Sequence, residues 1–266
     1  MNLVPLALYA AAFIGYALHF ARRTPVSARL ATTMLAAATL AHTFIIGMQT
    51  MEVGQVPVFG MASAVSMFVW LLAVAYLYME VTTDERAMGV FILPLVIALQ
   101  AIPAFSAASN VRPAVLRGPL FGIHVSSLLF AYASFALACV IGITYVLLFK
   151  EIKTKHLGVF YARLPSLQVL DQMNQRAIVV GWVFLTIGLV AGVVFAIAAN
   201  VPSMLSVEDP KIFVALICWA VYSFELFAAR RIGWAGRRAA YLSALGFAIV
   251  LLNFVPISYL TSSHKF

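Results

Sequence analysis

The sequence predicts an all-α polytopic membrane bundle, and three observations predict it. Of 266 residues, 64% are hydrophobic and 10% charged, whereas soluble domains run about 45–50% apolar and about 25% charged. The apolar residues fall into runs of about 20, the length that crosses a bilayer core as a helix. None of these runs alternates polar and apolar as a barrel strand must, and a backbone in lipid has to bond to itself. Eight spans of about 20 residues leave only short loops in such a chain. A cytosolic enzyme, a nucleic-acid binder and a disulfide-rich secreted domain are excluded together.

The runs, bounded by charges and turn residues, lie at about 3–20, 30–49, 60–79, 88–105, 121–149, 177–199, 212–229 and 239–260. Together they make one integral membrane domain over 1–266. The first begins Met1-Asn2-Leu3-Val4 and meets Arg22 and Arg23 only at its far end, so it reads as a first helix and not a cleavable leader. The fifth is longer than a span needs and projects toward the Lys150–Lys155 cluster. The segment 150–176 places Leu164, Leu167, Leu170 and Met173 at helical spacing, which predicts an amphipathic helix on the cytoplasmic membrane surface. On the opposite side, the segments 50–59, 106–120 and 200–211 carry Pro57, Pro113, Pro119, Pro202 and Pro210, the mark of irregular loops able to cap a cavity.

Charge sets the orientation. Of the seventeen lysines and arginines, Arg112, Arg117, Lys211 and Lys265 fall on one side and the remaining thirteen on the other. The richer side is expected to be cytoplasmic, with both termini outside. The net charge of +8 is accounted for in this way without nucleic acid.

Few side chains could carry chemistry. Cys139 and Cys218 stand alone, with no CxxC and no CxxCH. There is no GxGxxG, no Walker A loop and no nucleophile elbow. Three of the five histidines lie in or beside the outer half of the membrane: His42 in the second span, His124 at the start of the fifth, and His264 after the eighth. Neutral imidazoles are what a haem iron takes as axial ligands, and a helix bundle suits the porphyrin face. His19 and His156 sit beside the basic clusters. Glu225 is expected to reach the cytoplasmic interface and pair with Arg230 and Arg231. Gln100 and Asn253 read as interhelical hydrogen-bonding residues, and Gly181, Gly188 and Gly192 as a close helix contact.

Several short motifs then carry a resemblance. They are His42-Thr43, Gly54-Gln55-Val56-Pro57-Val58, Trp70-Leu71-Leu72, Ile123-His124-Val125-Ser126-Ser127-Leu128 and Tyr132-Ala133-Ser134-Phe135-Ala136. Further on come Arg163-Leu164-Pro165-Ser166-Leu167, Asp209-Pro210-Lys211 and Gly233-Trp234-Ala235-Gly236-Arg237-Arg238. In order and spacing, from about residue 40 to the C-terminus, the chain resembles the CcsA- and HemX-like eight-helix members of the cytochrome c assembly family. Larger members of that family carry haem across the membrane and present it for attachment to apocytochrome c. The resemblance implies that His42 is an intramembrane haem ligand and that His124 and His264 are the two external ones. The chain departs from the pattern twice. The segment 200–208, where the family is tryptophan-rich, has no aromatic residue, and Phe227 or a near neighbour occupies the region of a second intramembrane histidine.

The reading that follows is a haem-binding or haem-handling protein that binds and presents haem b and does no chemistry on a substrate. Arg112, Arg117 and Lys211 would pair with the propionates, since cationic side chains make strong bonds to carboxylates. The expected partners are haem and other cytochrome c assembly proteins, and the expected location is a bacterial inner membrane. The alternatives are a HemX-like regulator contacting a haem-biosynthesis enzyme through the 150–176 segment, or a structural subunit without its own cofactor. A transporter ranks last, because no internal repeat is evident.

Overall fold

A computed structural model describes residues 3–106, 118–155, 158–199, 210–234 and 236–254; residues 210, 211 and 252–254 are described by backbone alone. The elements are α1 (Leu3–Arg22), α2 (Pro25–Val53), α3 (Gly60–Thr83), α4 (Gly89–Phe105), α5 (Pro119–Thr154), α6 (Val159–Arg163), α7 (Leu167–Ala198), α8 (Pro210–Phe227), a π turn (Ala228–Ile232) and α9 (Arg237–Phe254). No strand occurs among the described residues. Six helices, counting α8 with its π turn, are long and apolar enough to cross a membrane, and α4 is a shorter apolar helix. The protein is a polytopic helical membrane bundle.

Local chemistry sets the helix ends. Thr24 accepts a hydrogen bond from the Ser27 N–H at 3.2 Å, and Pro25 follows at the first helical position of α2. Gly54 ends that helix in the left-handed region at φ 74°, its N–H reaching the Thr50 carbonyl at 2.8 Å. Ser166 caps α7 through the Val169 N–H at 3.3 Å.

The long helices α5 and α7 run antiparallel as the spine of the bundle, pressed together by glycines. A Cβ on Gly181 would lie 2.4 Å from the Phe135 ring, and one on Gly188 would lie 2.7 Å from Leu128. One on Gly192 would lie 2.6 Å from the His124 ring. Such close approach is what small residues permit between membrane helices. Helix α9 leans on the other side of α5, where a Cβ on Gly142 would sit 3.0 Å from the Ala240 carbonyl. Phe135 stacks on Tyr222 of α8 with centroids 3.6 Å apart.

The segment 150–176 differs from the surface helix that its leucine spacing suggests. Leu164 ends the five-residue α6, while Leu167, Leu170 and Met173 form the foot of α7. Leu164, Leu170 and Met173 are buried because they face the bundle. The start of α6 is tied to α5: one Glu151 oxygen accepts the Gly158 N–H at 3.1 Å and the Tyr161 N–H at 2.9 Å. Arg23 donates to the Arg163 carbonyl.

Candidate functional site

His42 is fully buried, held between α1 and α3. The Tyr9 hydroxyl lies 3.1 Å from its Nδ1, and the Ser66 hydroxyl 3.0 Å from its Nε2. The Tyr9 ring meets the imidazole edge-on at 5.7 Å. At the next residue, Thr43 accepts the Trp70 indole N–H at 2.8 Å, so two of the resembling motifs pack together. Both nitrogens of His42 are occupied. As it stands the side chain offers no lone pair to iron; it can do so only by exchanging one hydroxyl partner.

His124 is built differently. It sits in the second turn of α5, partly exposed, with its Nδ1 2.7 Å from the Gly188 carbonyl of α7. A carbonyl only accepts, so Nδ1 carries the proton and the lone pair is left on Nε2. An imidazole that donates one ring N–H to a backbone carbonyl and keeps the other nitrogen open is the usual arrangement of a ligating histidine. The ring rests against Gly192, where any larger residue would displace it. Beside it, Phe121 lies 6.4 Å away, stacks on Phe59 at 5.2 Å and tilts against Phe195 at 5.4 Å. Three helices or their caps thus bring aromatic side chains to this end of α5, although segment 200–208 has none.

Next to this cluster, a groove of about 510 Å³ opens between the turn after α2 and the start of α5. It is lined by Thr50, Gly54, Gln55, Val56, Gly122 and Ser126, among others. The Gly118 N–H reaches the Gln55 side-chain oxygen at 3.4 Å across its rim. The prolines of segments 50–59 and 106–120 led to an expected cavity in this region.

His42 and His124 share no hydrogen-bond partner: one is fastened to α1 and α3, the other to α7. His264, Arg112 and Arg117 lie outside the described residues, as does the side chain of Lys211. No group of three or more His, Cys, Asp or Glu that could hold a metal ion occurs among the described residues.

Against known proteins, residues 2–264 match the family described as Cytochrome C assembly protein. The chain belongs to that family. It is 27% identical over 249 residues to cytochrome c biogenesis protein CcsA of Guillardia theta, covering 86% of this chain and 81% of the relative. To the CcsA of Synechococcus elongatus it is 25% identical over 277 residues, with 87% and 85% covered. To that of Heterosigma akashiwo it is 29% identical over 226 residues, with 71% and 70% covered.

Two features of this family member escaped the sequence reading. Glu225 does not reach the interface to pair with Arg230 or Arg231. It is buried, and its carboxylate accepts from Ser243 at 2.9 Å, with Asn174 donating to Ser243 at 3.0 Å. Snorkelling fails because α9 lies over that face of α8 and supplies a hydroxyl. Glu80 was not singled out at all, yet it is a second buried carboxylate. It accepts from Tyr16 and from Thr32, the latter at 2.5 Å, and lies 3.9 Å from Arg86. It stands one residue past the expected end of the third span; an acidic residue so placed beside Arg86 was the available signal.

Proposed function

We propose that this protein handles haem as cargo in cytochrome c assembly, holding it at the end of the bundle where α5 begins. The observation that carries the reading is His124: its Nδ1 proton is committed to Gly188, its Nε2 lone pair is free, and its ring is held against Gly192. The names of the CcsA relatives, cytochrome c biogenesis proteins, support the same role.

In this reading His124 is the positioned ligand and His264 would hold the haem with it. The Phe59–Phe121–Phe195 cluster gives the porphyrin edge an apolar neighbour. Arg112 and Arg117, within twelve residues of His124 in sequence, and Lys211 at the start of α8 pair with the propionates. His42 serves as an inner ligand only after releasing Tyr9 or Ser66. Bound haem supplies the vinyl groups and iron that attachment to an apocytochrome requires; the chain's own part is to bind, orient and release. The haem is of b type, and the membrane is a bacterial inner membrane with the arginine-rich face in the cytoplasm.

The test is an absorption spectrum of the detergent-purified protein, oxidised and reduced, with haem quantified against protein. A near-stoichiometric Soret band that falls several-fold in His124→Ala and His264→Ala supports the reading. No band, even after haem is added, overturns it.

A further inference from the structure

We propose that the cleft between α7 and α8, at the arginine-rich end of the bundle, binds an anionic phospholipid from the adjoining leaflet. Two adjoining grooves define the cleft. The larger, about 470 Å³, runs between Val179, Trp182 and Val183 of α7 and Leu226 and Phe227 of α8, and is closed by Arg230 and Arg231. The smaller, about 320 Å³, continues past Val179, Leu226 and Arg230 to Gln175 and Arg176. An apolar trough ending in cations is the shape and charge of a lipid bearing an anionic head.

Three further observations favour that occupant. First, α8 turns π-helical at Ala228–Ile232, which places both Arg230 and Arg231 on the larger groove. Single π turns are rare and occur frequently at functional positions. Second, among the described residues the ion pairs all belong to Arg86, so Arg230 and Arg231 have no carboxylate partner. Glu225, the nearest acid in sequence, is turned to Ser243. The Gln175 side-chain nitrogen is also buried without a hydrogen-bond partner, a donor on the same rim. Guanidinium groups match phosphate oxygens in pairs, and an amide N–H adds a third donor.

Third, the walls are rigid and face outward. Trp182 donates to Ser223 at 2.7 Å and Trp219 donates to Thr186 at 3.0 Å, so the two helices are cross-linked by reciprocal bonds. Their indole rings stack at 6.2 Å. Val183 and Phe227 remain 40% and 54% exposed, on the side a lipid would approach. On α7 the cleft is lined by residues between Gln175 and Val183, whereas His124 meets Gly188 and Gly192, so the proposal does not rest on the haem reading.

The test uses the full chain with Trp70→Phe and Trp234→Phe, leaving Trp182 and Trp219 to report. The protein is placed in phosphatidylcholine vesicles containing either phosphatidylglycerol or phosphatidylcholine with brominated chains. The expected result is at least twofold stronger quenching by brominated phosphatidylglycerol, lost in Arg230→Gln/Arg231→Gln and unchanged by millimolar inorganic phosphate. Equal quenching by the two lipids, or an undiminished preference in the arginine variant, overturns the proposal. So does loss of the preference to inorganic phosphate, which would make the cleft an anion site only. Should the tryptophan variants fail to fold, native mass spectrometry of the wild-type sequence decides: phosphatidylglycerol must be retained, and must be lost on Arg230→Gln/Arg231→Gln.

Discussion

His124 donates from Nδ1 to the carbonyl of Gly188, and four residues along α7 its ring rests on Gly192. The pair of glycines that lets α5 and α7 approach therefore also fixes the tautomer and direction of the candidate ligand. A methyl group at 192 would come within 2.7 Å of two ring atoms, so Gly192→Ala must swing the ring and break the Gly188 bond. We expect Gly192→Ala to lower haem retention as far as His124→Ala does, with an overpacking cost of about 1–3 kcal/mol. Gly47→Ala is the control, because a Cβ there meets nothing within 4 Å; it should leave both readings unchanged or raise stability slightly. Haem content after purification and thermal unfolding in detergent check this. Full haem retention in Gly192→Ala would detach the glycine from the site.

His42 leads to a different expectation. Removing the ring in His42→Ala leaves the Tyr9 and Ser66 hydroxyls without the partner they face. A buried polar group left unsatisfied costs about 1–3 kcal/mol. The variant should therefore unfold well below the wild-type temperature before any haem is added. Tyr9→Phe should cost less and free Nδ1, raising whatever haem signal depends on His42. If His42→Ala is as stable as wild type, the hydrogen bonds to its ring contribute nothing.

The bundle was legible in the sequence because span length and charge placement are imposed by the membrane and are local. The ends were less so. Leu164, Leu167, Leu170 and Met173 have the spacing of a surface helix, and only tertiary contact shows that they face the bundle, Leu164 at the end of α6 and the others at the foot of α7. The glycine motif and His124 were both visible, but their meeting depends on the antiparallel register of α5 and α7, which no local pattern states. Glu225 has a sequence neighbourhood of arginines and a spatial neighbourhood of Ser243 and Asn174. For a buried carboxylate the second decides. His264, Arg112 and Arg117 lie outside the described residues; the part given to His264 rests on the resemblance, and that given to the two arginines on their place in the sequence beside the outer face.

Glu80 joins α1, α2 and the turn after α3 through Tyr16, Thr32 and Arg86. Arg86 also donates from Nε to Thr32 at 3.1 Å and pairs with Asp84 at 2.9 Å. Removing one member of a buried ionic group costs about 3–5 kcal/mol. Because Arg86 is partly exposed and keeps Asp84, Glu80→Ala should fall toward the lower end of that range. Glu80→Gln keeps the shape and should cost less. A double-mutant cycle with Thr32→Val would show strong coupling between the two sites. Additive losses would mean that the cluster does not act as a unit.

Glu85 lies in the turn after α3, outside the spans, and supplies a pH dependence. Burial is the main cause that raises its pKa above the ordinary glutamate value, with Asp84 beside it acting in the same direction; Arg23 and Arg86 oppose both only in part. The folded state therefore favours the neutral carboxyl. Its contribution to stability is complete below the unfolded value near 4.5 and is lost as pH rises through the higher folded value. At neutral pH the charged group subtracts from stability, and Glu85→Gln should be the more stable protein. The gap between variant and wild type should narrow as pH falls through that window. Thermal unfolding of both proteins in one detergent, from neutral pH down to the carboxylate range, makes the comparison. A gap that stays constant or widens on acidification would show that Glu85 is not held against its charged form.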